Sequence, residues 1–410
     1  MIRFSSFGRA SLGSVVLAGL AAVAGSGSAG CKSSDSASSG AAGVGITCTT
    51  STNAGDAASI RSALAGASAG ACVVLPAGSF AGPFTVPAGV AVVAQNGARA
   101  TITGGTAQEP AITLGEGAKL ALVDVVDAGG VGVAVRGANA VVTNVTVTGA
   151  KSAALAVLCH DASCATGTVT VTDVTLGKST IGAWFSGAHV AWTGGASSSN
   201  AGTGLASAAG IMAVDGARLE LQNVTVEKNE GVGIVIDGAA TTAAITNATV
   251  NENGERGIWA QRVNGTLDAP AVKIEGSQVT KNKLVGVGAV ESHGIIIVSG
   301  RIADTVAAPA VTDLSTTVPV GDGFGVFSGS GDFKIDGTTV ETNARAAGIV
   351  DNGDRGIIIV SGIVGASASG LKIVVQNNKG ADVQIADGDR SMPAAPLAVS
   401  APKLSLPSVL

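Results

Sequence analysis

The sequence predicts an all-β solenoid, in which the chain winds through stacked coils of short parallel strands. A recurring phrase is the first observation: a Val is followed three residues later by an Asn, at Asn229, Asn253, Asn282, Asn343 and Asn378. The first and second of these are 24 residues apart and the second and third 29 apart, which is typical of one repeat per coil. Because stacked strands lie about 4.8 Å apart, we expect the five side chains to form a structural Asn ladder.

Glycine supplies the second observation. A Gly followed by a β-branched residue comes shortly after four of the five asparagines, at Gly233, Gly257, Gly286 and Gly348. Asn and Gly both tolerate a positive φ, so we expect them to make the tight corner of each coil. Between the corners, segments such as 169–176 and 219–226 alternate Val, Leu or Ile with polar residues, as half-buried strands do.

Composition is the third observation. The 410 residues include 60 Gly, no Tyr, 3% aromatic residues and 13% charged residues, against about 25% charged residues in ordinary domains. A narrow core of stacked β-branched side chains suits these proportions, and helices suit them poorly. The net charge is −5 and no run of Lys or Arg occurs, which argues against a nucleic-acid partner.

The N-terminus predicts export. Residues 1–30 have the pattern of a signal peptide: Arg3 and Arg9 are followed by an apolar stretch and then by small residues up to Cys31. The Gly-Cys step resembles the lipobox of bacterial lipoproteins, which implies lipidation of Cys31 and a membrane partner through that anchor. Cleavage by an ordinary signal peptidase is the alternative. Residues 31–46 are rich in Ser and Gly and indicate a flexible tether.

Four further cysteines favour two disulfides in an oxidising compartment. We expect Cys48 to pair with Cys72 and Cys159 with Cys164. A metal site at Cys159, His160, Asp161 and Cys164 is the alternative, but it lacks a second ligand pair at the usual zinc spacing. We expect no metal and no cofactor.

A short helix opens the folded body. Ala57, Ile60, Ala63 and Leu64 repeat at helical spacing, and Asp56 is placed to cap them. The helix is followed by Val73-Val-Leu-Pro-Ala-Gly78 and a string of short strands. This order resembles the start of the pectin-lyase-like superfamily. The resemblance implies a single-stranded right-handed parallel β-helix over 47–390 whose first coil is capped by the helix, with a Pro-containing tail at 391–410.

The resemblance does not supply a catalytic site. Enzymes of that superfamily carry motifs such as paired Asp-Asp and Gly-His-Gly, or Asp-Pro-His-Asp in the alginate epimerases. None of these occurs in this chain, and Ser292-His293-Gly294 is the nearest approach.

A loose set of polar residues remains as candidates for catalysis. Glu255-Arg256-Gly-Ile and Asp354-Arg355-Gly-Ile stand before predicted strands, as does Glu291-Ser-His293. If stacking superposes these stretches, an acid, arginine and histidine cluster forms that can bind a uronate and move a proton. Solvated corner residues are the alternative. The wider set, in chain order, is Glu255, Arg256, Arg262, Glu291, His293, Asp351, Asp354 and Arg355.

Aromatic platforms for sugars are few. The candidates are Trp184, Trp192, Trp259, Phe324, Phe327 and Phe333, although they equally suit core positions. We therefore expect an exported cell-envelope lipoprotein that serves as a binding or structural surface protein, with polysaccharide as a candidate partner. The alternative is a polysaccharide lyase or glycoside hydrolase that acts on an acidic glycan with a non-standard site.

Overall fold

The computed structural model describes residues 45–386, except 96–97, 160–163, 165, 203–207, 309–319, 352, 354, 366 and 379. The predicted signal peptide, Cys31, most of the tether and the tail at 391–410 lie outside the described residues. Ile46, at the end of the predicted tether, is buried against Cys72 and Val74 on the first coils.

Three parallel sheets run along the molecule, and each coil passes through sheet 1, sheet 2 and sheet 3 in turn. Four long strands belong to both sheet 1 and sheet 2: Thr168–Gly177, His189–Ser198, Gly331–Glu341 and Ile357–Val364. The other strands of sheet 1 are Thr50–Asn53, Ala71–Leu75, Ala91–Ala94, Lys119–Ala121, Val141–Thr143, Arg218–Gln222, Thr242–Thr246, Val272–Glu275, His293–Val298 and Asp382–Ile385.

The other strands of sheet 2 are Gly78–Ala81, Ala100–Thr103, Val123–Val126, Thr146–Thr148, Thr225–Glu227, Thr249–Asn251, Gln278–Thr280 and Arg301–Ala303. Those of sheet 3 are Phe84–Val86, Ile112–Leu114, Val133–Val135, Ala153–Leu158, Ile181–Ser186, Ile211–Val214, Ile234–Asp237, Arg256–Gln261, Leu284–Val290, Gly321–Phe327, Ala346–Asp351 and Leu371–Gln376. Sheet 3 has one strand per coil, so the described residues form twelve coils.

One continuous apolar core fills the space between the sheets. Inward Val, Leu and Ile side chains stack on their counterparts one coil away; Val226, Val250 and Val279, for example, pair in register and are buried. The all-β parallel solenoid predicted from the alternation is confirmed.

The predicted capping helix is also present, as Ala57–Gly66. Asp56 and Ser59 form a reciprocal capping box at its start: the Ser59 amide donates to Asp56 Oδ1 at 2.7 Å, and the Asp56 amide donates to Ser59 Oγ at 3.0 Å. Ile60 and Leu64 are buried against the core, so the helix shields the apolar end of the solenoid.

Both disulfides occur in the pairing that the sequence favoured. Cys48 is bonded to Cys72, which fastens the first strand of sheet 1 to the second. Cys159 is bonded to Cys164. The sulfurs of this second pair are therefore not free thiolate ligands, which removes the metal alternative at that loop.

A column of polar side chains joins the coils at the corner between sheets 2 and 3. Asn200 Nδ2 donates to Asn229 Oδ1 at 2.7 Å, Asn229 Nδ2 to Asn253 Oδ1 at 2.9 Å, and Asn253 Nδ2 to Asn282 Oδ1 at 2.8 Å. Ser179 precedes these residues, since its amide donates to Asn200 Oδ1 at 3.2 Å. The column then continues to Thr305 and Asn343.

Two expectations about this corner need correction. Asn378 is not in the column: it follows a strand of sheet 3, whereas the other asparagines precede one, and its Nδ2 donates to Ala381 O at 2.7 Å. The positive φ of the corner belongs to the residue before each ladder Asn, as at Lys228 (55°), Glu252 (55°) and Lys281 (53°).

The glycines after the ladder are required by a close approach between coils. A Cβ on Gly257 would lie 2.5 Å from Gly286 O, 2.7 Å from Val279 Cγ1 and 2.8 Å from Asn282 Nδ2. Gly348 does not share this column. On the next coil Ala347 lies beside Gly323, whereas Gly348 lies beside Phe324 and faces its ring.

Candidate functional site

The outer face of sheet 3 differs from an ordinary solvated sheet face. In the column that points away from the core, successive coils present Ala156, Trp184, Met212, Val235, Trp259, Gly288, Gly325, Ile349 and Val374. The apolar members form a second buried cluster, separate from the core. The outer faces of sheets 1 and 2 instead carry Thr, Gln, Lys and Glu. Apolar side chains in one row on the outer side of a sheet are unusual, and those of this row are buried, with Trp184 the most exposed at 7%.

The aromatic candidates divide between the two sides of the sheets. Trp192, Phe324 and Phe333 lie inside the core, which corrects their assignment as platform candidates. Trp184, Trp259 and Phe327 lie on the outer face of sheet 3, and the ring centroids of Trp259 and Phe327 are 5.9 Å apart.

The rings of Trp259 and Phe327 lie flat against the sheet. A Cβ on Gly288 would collide with Cζ3 and Cε3 of Trp259, and a Cβ on Gly325 would collide with the ring of Phe327. Gly288, one coil on from Trp259, and Gly325, two residues before Phe327 in the same strand, therefore make room for these rings to lie along the sheet. The indole Nε1 donates to Gln261 Oε1 at 3.2 Å, which holds Trp259 in this orientation.

Two ion pairs are buried at the edge of this face where the strands begin. Arg256 Nη1 lies 3.1 Å from Glu255 Oε2, and the guanidinium lies 4.3 Å from the ring centroid of Trp259. Arg345 Nε donates to Asp322 Oδ1 at 2.8 Å, and Nη2 contacts Oδ2. Burial raises the pKa of the Glu255 carboxyl, although the charge of Arg256 opposes it. Burial likewise raises the pKa of Asp322 against the hydrogen bond and charge of Arg345.

Carboxyl groups also mark the edge where the strands end. Asp237 is paired with Arg262 through two hydrogen bonds, one of 2.8 Å. Asp351 Oδ1 accepts from Asn377 Nδ2 at 3.0 Å. Burial raises the pKa of Asp351, opposed by hydrogen bonds from Asn377 and Gln376 and by the charge of Arg345. Buried carboxyls with raised pKa values cluster at functional sites more often than elsewhere.

Residual exposure shows that solvent reaches parts of this face. Trp184 keeps 7% of its surface exposed, Glu255 8% and Asp351 7%, whereas Trp259 and Phe327 keep none, like the core aromatics Trp192 and Phe324. Solvent therefore reaches Trp184 and the polar edges of this face, but not the rings of Trp259 and Phe327.

The catalytic cluster expected from the sequence is divided between two corners of the solenoid. Arg256 lies with Glu255 at the corner between sheets 2 and 3. At the corner between sheets 3 and 1, Arg355 Nε donates to His293 Nε2 at 3.2 Å, and His293 Nδ1 is 3.7 Å from Asp332 Oδ2.

Glu291 lies at that same corner, near Arg262. The hydrogen bond to Asp237 is the main cause of the raised pKa of Arg262, and the charges of Asp237 and Glu291 add to it. Asp354 lies outside the described residues. The expected superposition of the two Arg-Gly-Ile stretches is wrong, because Arg256 begins a strand of sheet 3 whereas Arg355 precedes one shared by sheets 1 and 2.

Sheet 1 carries a second polar cluster, which the sequence analysis missed. His189 Nε2 lies 3.1 Å from Glu220 Oε1, which also accepts from Arg218 Nη2 at 2.7 Å, and His189 Nδ1 lies 2.8 Å from Thr168 Oγ1. An open depression of about 290 Å³ lies beside it, lined by Ala191, Thr193, Glu220, Leu221, Gln222, Ala244 and Thr246. Burial alone would raise the pKa of Glu220, but the hydrogen bonds and charges of Arg218 and His189 hold it below its ordinary value.

Neither a metal cluster nor a membrane helix is found in the described part of the chain. No group of three His, Cys, Asp or Glu side chains is placed there to hold a metal ion. No helix among those residues is long and apolar enough to cross a membrane.

Comparison with known proteins places the fold. Residues 125–302 match the family model described as a right-handed β-helix region. The protein is a right-handed parallel β-helix. This region spans the Asn ladder from Asn200 to Asn282 and most strands of the sheet 3 face.

Solved structures agree with this fold. The A-module of mannuronan C-5 epimerase AlgE4 from Azotobacter vinelandii is similar over 82% of the present chain and 96% of its own chain, with 16% identity and a TM-score of 0.51. The catalytic domain of a GH87 α-1,3-glucanase, solved with tetrasaccharides, is similar over 82% of this chain and 66% of its own, with 9% identity and a TM-score of 0.50. Among curated proteins, no sequence matches.

Proposed function

We propose that this β-helix binds a polysaccharide along the outer face of sheet 3. The observation that carries the proposal is the row of aromatic and apolar side chains on the outer side of sheet 3, in which Trp184 keeps 7% of its surface exposed and Trp259 and Phe327 lie buried over glycines. Flat rings flanked by hydrogen-bonding groups suit the apolar faces and hydroxyl edges of sugar rings. Of the two similar proteins described above, one is named as a mannuronan epimerase and the other as a glucanase in complex with tetrasaccharides, which is consistent with such a ligand.

The polar groups beside these rings support the same proposal. Gln261, Asp237 and Asp351 lie along the edge where the strands end, and Glu255 and Arg256 lie along the opposite edge. Replacing buried ion pairs with apolar side chains is often neutral or stabilising, so stability alone does not account for charges on this face. Ligand recognition gives a reason for them.

A catalytic role is the second candidate. The raised pKa values of the Glu255 and Asp351 carboxyls are the observation that favours it, since a raised pKa brings a carboxyl closer to what a general acid needs. Incubation with a panel of uronans and neutral glycans, followed by unsaturated-product absorbance and reducing-end assays, tests this role. Turnover that is lost in Asp351→Asn supports catalysis, and binding without turnover supports a binding protein.

We further propose export to the cell envelope, with residues 1–30 as the signal and Cys31 as the lipidated residue. Two disulfides support an oxidising compartment. The test is palmitate labelling and membrane fractionation of the wild type and of Cys31→Ser. Loss of label and release from the membrane in the variant are expected. Retention of the variant in the membrane fraction would contradict the anchor.

The binding proposal is tested by titrating soluble polysaccharides into the wild-type protein and three variants. Trp184→Ala removes the most exposed ring of the face, and we expect Kd to rise about tenfold. Trp192→Phe is the matched control, because this tryptophan lies in the core. Glu220→Gln tests the depression on sheet 1. Weakening by Glu220→Gln with no effect of Trp184→Ala would move the site to sheet 1 and overturn the proposal.

A further inference from the structure

Arg345 carries a buried donor atom that no described residue of the protein satisfies. Its Nε and Nη2 are used by Asp322, and only 6% of the side chain is exposed. Nη1 is buried as well, and it has no hydrogen-bond partner among the described residues. Leaving a buried donor without an acceptor is costly, and more so on a charged group.

Arg256 provides a comparison on the same face. Along sheet 3, Arg256, Val285, Asp322 and Ala346 pair in register, so the two ion pairs lie two coils, or about 10 Å, apart. The guanidinium of Arg256 is enclosed by Glu255 and the ring of Trp259. Arg345 has a carboxylate partner in Asp322, but among the described residues no aromatic ring lies within cation–π distance of its guanidinium.

The surroundings of Arg345 favour strong hydrogen bonding. Ala346, the next residue in the chain, and Val320, two residues before Asp322, belong to the buried apolar cluster on this face. In such an environment a hydrogen bond is electrostatically stronger than in water. A guanidinium has donors only, so its missing partner is an acceptor, and a charged donor forms its strongest bonds with a charged acceptor.

We propose that Arg345 Nη1 anchors an anionic oxygen of the bound polysaccharide, either the carboxylate of a uronic acid or the oxygen of a sulfate ester. This inference rests on the proposed function and adds to it a charge class for the ligand and the residue that reads it. Asp322 positions the guanidinium through Nε and Nη2 and leaves Nη1 for the ligand.

The test uses polymers that differ only in charge. Polygalacturonate is compared with its carboxyl-reduced form, and dextran sulfate with dextran, at 0.15 M salt so that long-range attraction is screened. Binding to the wild type, Arg345→Lys and Arg301→Gln is measured. Lysine keeps a cation for Asp322 but loses the planar fork. Arg301 pairs with Glu341 on sheet 2 and serves as the control.

We expect the wild type to bind at least one anionic polymer more tightly than its neutral partner. Arg345→Lys should raise Kd for that polymer about 10- to 100-fold and leave neutral polymers unchanged. Arg301→Gln should bind like the wild type. Preference for polygalacturonate over its reduced form would identify the anionic group as a carboxylate. Preference for dextran sulfate over dextran would identify it as a sulfate ester.

Two results would overturn the inference in different ways. Equal binding of neutral and anionic polymers, unaffected by Arg345→Lys, would remove the anionic anchor while the proposed function stands. Absence of binding to every polymer would remove both. Should Arg345→Lys fail to fold, the double variant Arg345→Gln with Asp322→Asn replaces the ion pair by an amide pair, and the same loss of anionic preference is expected.

Discussion

Removal of one amide from the Asn ladder tests how the coils are held in register. Asn253 is fully buried, and its side chain takes part in four hydrogen bonds. Its Nδ2 donates to Asn282 Oδ1 at 2.8 Å and to Val226 O at 3.2 Å, and its Oδ1 accepts from the amide N and the Nδ2 of Asn229 at 3.2 and 2.9 Å. Asn253→Ala therefore deprives two buried donors of their acceptor.

The expected magnitude follows from that count. Each buried donor left without an acceptor costs about 1–3 kcal/mol, and so the free energy of unfolding should fall by about 2–5 kcal/mol, since Asn229 Nδ2 keeps Ser197 O as a second acceptor. Urea unfolding followed by circular dichroism and tryptophan fluorescence measures the loss. The two probes should give coincident transitions if the solenoid unfolds as one unit.

Asn251→Ala is the matched control, because this residue ends the strand that leads to Asn253 but is only half-buried. It accepts a single hydrogen bond, from Thr280 Oγ1 at 3.0 Å. We expect it to cost about 0.5–1.5 kcal/mol. Equal losses in the two variants would refute the reasoning that the buried ladder fixes the stacking of the coils.

Three further predictions concern stability. Gly257→Ala should lower the urea midpoint strongly, since its Cβ would lie 2.5 Å from a neighbouring carbonyl oxygen, whereas Gly55→Ala, with open space around it, should change the midpoint little. Thr305→Asn should raise the free energy of unfolding by about 1 kcal/mol, because it supplies the side-chain amide that the ladder lacks between Asn282 and Asn343. An unchanged urea midpoint would contradict this. Burial raises the folded-state pKa of Asp351, so its contribution to stability is complete below the unfolded pKa, about 3.9, and is lost as pH rises through the folded value. The wild type should therefore lose more stability than Asp351→Asn as pH rises from about 4, and the opposite trend in urea midpoints would refute the assignment.

Much of the architecture could be predicted because the same contacts repeat in every coil. The Val three residues before Asn229, Asn253 and Asn282 is an inward residue of sheet 2, and the Gly after each of these asparagines is required by the close approach of the next coil, so a physical constraint recurs as a sequence pattern. Asn378 shows the limit of that pattern. Its phrase has the same letters, but Val375 belongs to sheet 3, and a local pattern does not reveal which sheet a strand joins.

An identical heptapeptide shows the same limit more sharply. Residues 294–300 and 356–362 have the same sequence, so Ile295 corresponds to Ile357. In the structure, however, Phe333 pairs with Ile295 on one side and with Ile358 on the other, so Ile358 occupies the inward column of Ile295. The two copies are thus shifted by one residue, and a shift by one moves every side chain to the other face of a strand. Ile357, the counterpart of buried Ile295, is accordingly exposed.

The candidate site was harder to predict for a related reason. Trp184 and Trp192 are eight residues apart and both lie in strands, but one faces outward and the other faces the core. The flat orientation of Trp259 depends on Gly288, 29 residues later in the chain. Glu255, Arg256 and Asp351 were named from their charge alone, while the pairing of Asp322 with Arg345 depends on the register of two coils.

The most direct test of the account is a crystal structure of the protein with an oligosaccharide from the polymer that binds most tightly. We expect the sugar rings to lie along the outer face of sheet 3, in contact with Trp184. Sugar bound instead in the depression beside Glu220 on sheet 1, with the sheet 3 face unchanged, would contradict the central claim.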